Sequence, residues 1–168
     1  MAKIWSEIFV MYDAAKQVEE LLKLPQELCR QCGKCCKISI SKGGLTVEEL
    51  TKLSNSKTED LIQVIGAIDF LTVFQPYETI EEARNIDSDF VDRMLEHFNK
   101  KEGEIDFFYC KFLGDNNRCK IHQSRPELCK KYPSPSELTH YFEHCGFREK
   151  GMENLEKIKA ILKELEQK

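Results

Sequence analysis

The sequence predicts a mostly α fold with one small β-hairpin, in which an irregular cysteine-rich core is flanked by N- and C-terminal amphipathic helices. Three observations predict it. Apolar residues recur at helical spacing at both ends of the chain, helix-start signals punctuate the middle, and eight cysteines are set at intervals that match no regular element.

The elements follow in order. From Lys3 to Leu24, Ile4, Ile8, Tyr12, Ala15, Val18 and Leu22 fall on one helical stripe with Lys16, Glu19 and Glu20 opposite, and Pro25 ends the run. Thr46-Val-Glu-Glu49 is a capping box, in which the threonine oxygen accepts a backbone N–H and Glu49 reaches back; a short helix to about Ser54 is expected. Thr58-Glu-Asp starts another over Leu61, Ile62, Ile65, Ile68 and Phe70, and Asp87 to Asn99 a third with Phe90, Met94, Leu95 and Phe98 inward. Around Ile105 to Ile121 two aromatic or β-branched runs are divided by Gly114-Asp-Asn-Asn117, a turn signal that predicts the hairpin. Past Gly151, Leu155, Ile158, Leu162 and Leu165 alternate with lysines and glutamates as a last helix. The two end helices are expected to pack on the middle or on each other. The chain is read as a single domain over 1–168, with a cysteine motif region at 29–133 and flanking helices at 1–24 and 152–168.

A chain of 168 residues, 41% apolar and 32% charged, has enough apolar surface to fold without disulfide staples. Its net charge of −4 supplies no field to attract nucleic acid or anionic lipid, so neither is an expected partner. No apolar run reaches bilayer length, and Lys3 and Glu7 interrupt the N-terminal stretch that a signal peptide would keep apolar. A cytoplasmic location is expected. Cytosolic thiols are kept reduced, so cysteines at this density point to metal binding in preference to disulfides.

Six of the cysteines fall in two groups, Cys29-x2-Cys32-x2-Cys35-Cys36 and Cys110 with Cys119; Cys129 follows the second group and Cys145 trails. A Cys-x2-Cys hook lets the backbone curl around an ion, and two such contributors supply the four thiolates that zinc or an iron–sulfur cluster requires. Gly33 sits inside the hook, where a positive φ turns successive N–H groups toward the sulfurs. Adjacent side chains such as Cys35 and Cys36 diverge, which predicts two metal sites or one site and a spare thiol. The hook is expected as one contributor and Cys110, Cys119 and Cys129 as the other, crossing over in at least one site. Thiolates around a cation leave excess negative charge, and Arg30, Lys34, Lys37, Lys111, Arg118, Lys120, Arg125, Lys130 and Lys131 lie beside the cysteines as candidates to offset it.

The hook, followed by Leu45-Thr46-x-x-Glu49, Cys110-x-Phe112-Leu113 and Cys119-x-Ile121-His122-x-x-Arg125-Pro126-x-x-Cys129-x-x-Tyr132-Pro133, resembles the CxxCxxCC, or YkgJ-like, cysteine-cluster family, a zinc- or iron-chelating group. The larger flagellin lysine N-methylases are similar across this cysteine domain. The resemblance implies ligand roles for Cys29, Cys32, Cys35, Cys36, Cys110, Cys119 and Cys129, with Arg125 and Pro126 shaping the loop. Cys145 lies outside that motif and joins the expected ligands as the eighth thiol. His122 stands where the family usually has tyrosine, and packing is the reading preferred over ligation. His140 and His144, four apart on an expected helix, have metal-binding spacing but lack the HExxH glutamate, so a surface helix is the simpler reading.

The Cys-x2-Cys-x2-Cys run is closer to a ferredoxin-type hook than to a zinc ribbon, which favours a 4Fe-4S cluster with a redox or cofactor role over zinc. The alternatives are a closed zinc module that presents a surface to a partner, and a protein-lysine methylation enzyme or its accessory subunit. A radical-SAM hook is excluded by Ser39 at its third thiol position, and no glycine-rich loop marks a nucleotide site. A protein or electron-transfer partner is the expected company. Asp106, Asp115 and Glu127 near the cysteines are read as solvated loop carboxylates, so no catalytic residue is assigned.

Overall fold

The computed structural model describes residues 2–139 and 141–167. The chain forms two compact units: a terminal unit made of Met1–Arg30 with Cys129–Lys168, and a central unit, Gln31–Leu128.

In the terminal unit α1 (Ala2–Leu22) packs on α7 (Arg148–Glu166). The two expected end helices therefore partner each other. Ala14, Leu24, Phe147, Leu155 and Ile158 are buried there. Asn154, itself buried, donates from Nδ2 to the Leu21 carbonyl at 2.8 Å, a cross-link that fixes the register of the pair. The expected stripe of α1 is only partly the buried one. Ile8 and Tyr12 are more than half exposed and Leu22 is 40% exposed, while Ala14 is the fully covered position; the Ile4 side chain lies outside the described residues. A single helical partner covers a narrow strip, and small Ala14 lets the helices approach.

In the central unit α3 (Val47–Ser54) starts at Thr46 with the predicted capping box complete: Glu49 N donates to Thr46 Oγ1 and Thr46 N donates to Glu49 Oε2. α4 (Leu61–Val73) begins at Asp60, whose Oδ1 accepts from Ile62 N at 2.7 Å, and it packs on α3. α5 (Ile80–Phe98) starts with a second capping box at Thr79 and Glu82 and breaks at Asp87, where φ −162 and ψ 93 leave the helix. Asp87 Oδ1 accepts from Phe90 N at 2.9 Å, so the expected helix start at Asp87 is real and a further segment precedes it. Asn99 closes α5 in the left-handed conformation. Phe90, Val91 and Met94 are buried, and the Phe90 and Phe107 rings meet edge to face.

The β-structure differs from the expected hairpin. β2 (Phe108–Cys110) pairs antiparallel with β1 (Phe74–Pro76), Phe74 opposite Cys110, rather than with the run leading to Ile121. Only the Leu113–Cys119 bridge joins the two arms across the 114–117 turn. The aromatic content explains the choice: Phe70 stacks on Phe74 at 4.8 Å and meets Phe108 edge-on at 5.0 Å, so β1 delivers an aromatic partner that the polar arm after Asn117 lacks. Phe108 is completely buried, and Ser39 pairs with it from the other side. The sheet thus anchors Cys110 in the core and the hook's exit beside it.

Candidate metal centre

Residues Gly33 to Lys37 build the hook. Gly33 has φ +72, as expected, and precedes a single helical turn, α2 (Lys34–Lys37), in which Cys36 N donates to the Gly33 carbonyl at 3.0 Å. A Cβ at Gly33 would lie 2.0 Å from the Asn117 carbonyl oxygen, so the hook backbone rests directly on the 114–117 turn. That turn is closed by Gly114 N to Arg118 O at 2.8 Å and Asn117 N to Gly114 O at 2.9 Å, with Asn117 at φ +60. The consequence is chemical: the turn carries Cys119 up to the hook, and the packing of α2 on β2 carries Cys110 there. Tyr77 holds the hook's far end by donating its hydroxyl to the Lys37 carbonyl.

The thiols respond to one another. Cys36 hydrogen-bonds to Cys110, which favours its ionisation, but a hydrogen bond to Cys35, burial and the neighbouring Cys35 and Cys119 sulfurs outweigh it, and the thiol is held well above its usual range. Cys110 is likewise pushed far up, first by its hydrogen bond to Cys36 and then by burial, against the opposing bonds from the Phe112 and Leu113 amides. Phe112 N lies 3.4 Å from Cys110 Sγ. Cys110 is buried, Cys35, Cys36 and Cys119 are half-buried, and Cys32 is exposed. Cys35 and Cys36 are adjacent on the one-turn helix α2, and Cys35 is one of the groups that raise the Cys36 thiol.

The central unit therefore brings Cys35, Cys36, Cys110 and Cys119 into one neighbourhood. Cys29, Cys129 and Cys145 belong to the terminal unit. No disulfide joins any of the eight thiols. Among the described residues no three Cys, His, Asp or Glu side chains already stand in coordinating positions, so the thiols are gathered without being set in a coordination polyhedron. The donor set nevertheless fits a thiophilic metal: four soft sulfurs share one neighbourhood, and thiols that resist ionisation side by side lose their protons to solvent when a bound cation neutralises the thiolates.

The other site candidates have structural placements. Arg125 Nε donates to the His122 carbonyl at 3.0 Å and braces the short 3-10 turn His122–Ser124, after which Pro126 leads into α6 (Glu127–Lys130). The His122 imidazole is held below its usual range by burial and by Arg125. His144 lies in a turn, 78% exposed, not on the expected helix, and His140 is outside the described residues. Phe142 to Gly146 forms tight turns instead, closed by Cys145 N to Phe142 O at 2.9 Å. Lys111 reaches the Leu71 carbonyl at 2.6 Å and so binds the end of α4. Asp106, read from sequence as a solvated carboxylate, accepts from Val47 N at 2.7 Å and caps α3. No local motif announces that contact, because the two residues are 59 apart.

No helix among the described residues is long and apolar enough to cross a membrane. No curated protein and no solved structure matches the chain. The profile of the CxxCxxCC family, described as a putative zinc- or iron-chelating domain, matches residues 28–146, a stretch that contains every cysteine and the whole of the hook, the sheet and the 114–117 turn. The chain belongs to the CxxCxxCC family of metal-chelating cysteine-cluster proteins.

Proposed function

We propose that the protein carries an iron–sulfur cluster with a redox or cofactor role, held in the central unit by Cys35, Cys36, Cys110 and Cys119. The observation that supports it is the convergence of those four thiols from the hook, β2 and the 114–117 turn. Four thiolates suit iron as well as zinc; the family's Cys-x2-Cys-x2-Cys run, which resembles a ferredoxin-type hook, tilts the reading toward iron although only its Cys35 belongs to this group of four. When bound, such a cluster supplies one-electron chemistry. The residues of the chain bind and shield it: Phe108 and β1 keep water from the Cys110 side, the Phe112 amide points at the Cys110 sulfur, and Lys34 and Lys37 flank the thiols on α2. A protein electron-transfer partner is the matching company for such a centre.

A zinc centre is the second reading, favoured by one observation. Cys36 has both Cys35 and Cys110 as near neighbours, close enough to move its thiol. A single tetrahedral ion draws four sulfurs to about 3.8 Å from one another, given Zn–S bonds of about 2.3 Å, whereas a cluster distributes its cysteines over separate irons.

Anaerobic purification with elemental analysis and electron paramagnetic resonance tests the proposal. Brown protein with iron, acid-labile sulfide and a paramagnetic signal on reduction is the expected result. Colourless protein with stoichiometric zinc replaces the cluster by the zinc module, and full metal loading in Cys119→Ser removes Cys119 from the centre.

A further inference from the structure

α4 buries Ala67 and Val73 in the central unit, yet Leu61, Ile65, Ile68 and Thr72 recur along it at intervals of four, three and four, the spacing of a seam that meets a second helix. That seam is open to solvent: Leu61 is 69%, Ile65 48% and Ile68 47% exposed, and Ile62 on its flank is 80% exposed. Thr72 donates its hydroxyl to the Ile68 carbonyl at 2.8 Å, so it brings no unpaired donor to the stripe. The exposed side chains amount to on the order of 400 Å² of apolar surface, the size of the largest patch that a monomer usually leaves bare and one that commonly marks a contact site. The two ends of the stripe are oppositely charged. Glu59 and Asp60 precede the helix, whereas Lys111 lies at its C-terminal end, giving one Nζ hydrogen to the Leu71 carbonyl at 2.6 Å and keeping two more to donate.

We propose that α4 is the interface of a homodimer, in which a second copy of this chain lays its own α4 antiparallel along the stripe. A two-fold contact must be self-complementary, and this one is. With the helices antiparallel, Ile65 of each copy faces Ile68 of the other and Leu61 faces Thr72, while the Glu59 and Asp60 end of one helix comes beside Lys111 of the other. A parallel pair would set like charges together at both ends. The carboxylates of Glu59, Asp60 and Asp69 border the stripe and set it against an anionic membrane surface. Pairing removes on the order of 800 Å² of apolar surface from water over both copies, short of the area of a permanent interface, so the dimer is reversible with a Kd of about 10–100 μM.

The test is sedimentation equilibrium of the full chain, with thiols kept reduced, from well below to well above that concentration range. A reversible passage from the 19.6 kDa monomer to twice that mass is expected. Ile65→Glu should weaken association more than about tenfold. Glu59→Lys should weaken it several-fold, and adding Lys111→Glu should restore it. Phe9→Asp, on the exposed surface of α1, should leave it unchanged. Circular dichroism checks that each variant is folded; Ile65 and Glu59 are both exposed, so their single variants decide the matter should Lys111→Glu unfold. A monomer at every concentration, undiminished dimer in Ile65→Glu, a dimer lost through Phe9→Asp, or no rescue by a folded double variant overturns the inference. So does a monomer that floats with phosphatidylcholine vesicles, which gives the face to lipid. The readout involves no metal, so its failure leaves the reading of the cysteine centre untouched.

Discussion

Gly33→Ala separates the two demands placed on the hook, because Gly43 provides a matched control in the same unit. Gly33 and Gly43 both have positive φ, +72 and +85, so alanine at either suffers the same left-handed strain of about 1–2 kcal/mol. Only at Gly33 does the new methyl meet backbone, the Asn117 carbonyl at 2.0 Å; at Gly43 nothing lies within 4 Å. Neither the carbonyl nor the turn behind it, held by two hydrogen bonds, can swing aside as a side-chain tip would. An overpacking penalty of about 1–3 kcal/mol is therefore added, for a total of about 2–5 kcal/mol at Gly33 against about 1–2 kcal/mol at Gly43. Urea unfolding of metal-depleted protein, with thiols kept reduced, measures both. Gly33→Ala should also lower metal affinity, since the turn it displaces carries Cys119. Equal destabilisation by the two alanines would refute the claim that the hook rests on the turn, and with it the route by which Cys119 reaches Cys36.

Three other outcomes follow from the structure. Tyr141→Phe should leave the terminal unit as stable or more stable by up to about 1 kcal/mol in thermal unfolding, since the buried phenol oxygen has no hydrogen-bond partner among the described residues. Glu153 is held down to about 2 by Lys157 and Lys150, so the support it gives α7 is complete above the ordinary carboxylate range and is lost as pH falls from about 4.5 toward 2. Circular dichroism should show helix content declining across that window, and Glu153→Gln should flatten the decline. Ser41→Ala should cost about 1–3 kcal/mol in urea unfolding, because the buried hydroxyl accepts from Leu45 N at 2.6 Å and donates to Leu45 O at 2.9 Å.

Local signals were readable where the chemistry is local. Thr46 and Glu49 cap each other across three residues, Asp87 caps Phe90, and Gly33 takes the positive φ its place in the hook demands. The Thr79 and Glu82 box carries the same local pattern. Long-range choices were not legible. β1 is three residues long and ends in Pro76, too short for alternation to mark it, and it becomes a strand where Phe70 stacks on Phe74 and meets Phe108 of β2 edge-on. Periodicity told which face of α4 is apolar but not whether anything covers it: Leu61, Ile62, Ile65 and Ile68 are 47–80% exposed. At the centre, spacing named the thiols, whereas their grouping depended on which loop Gly33 touches and on which unit each cysteine joins.

The terminal unit takes its two helices from stretches on either side of the whole central unit, which has a consequence during synthesis. α1 leaves the ribosome before the central unit, yet the helix that covers Ala14 is translated well over a hundred residues later, roughly 6–25 s at ordinary elongation rates. Throughout that delay Ala14 and Leu24, buried in the finished unit, travel uncovered beside Phe9, Met11 and Tyr12, which stay exposed even after folding, so the nascent segment is a standing target for chaperone capture. The central unit meets no such wait, since all of its residues emerge consecutively.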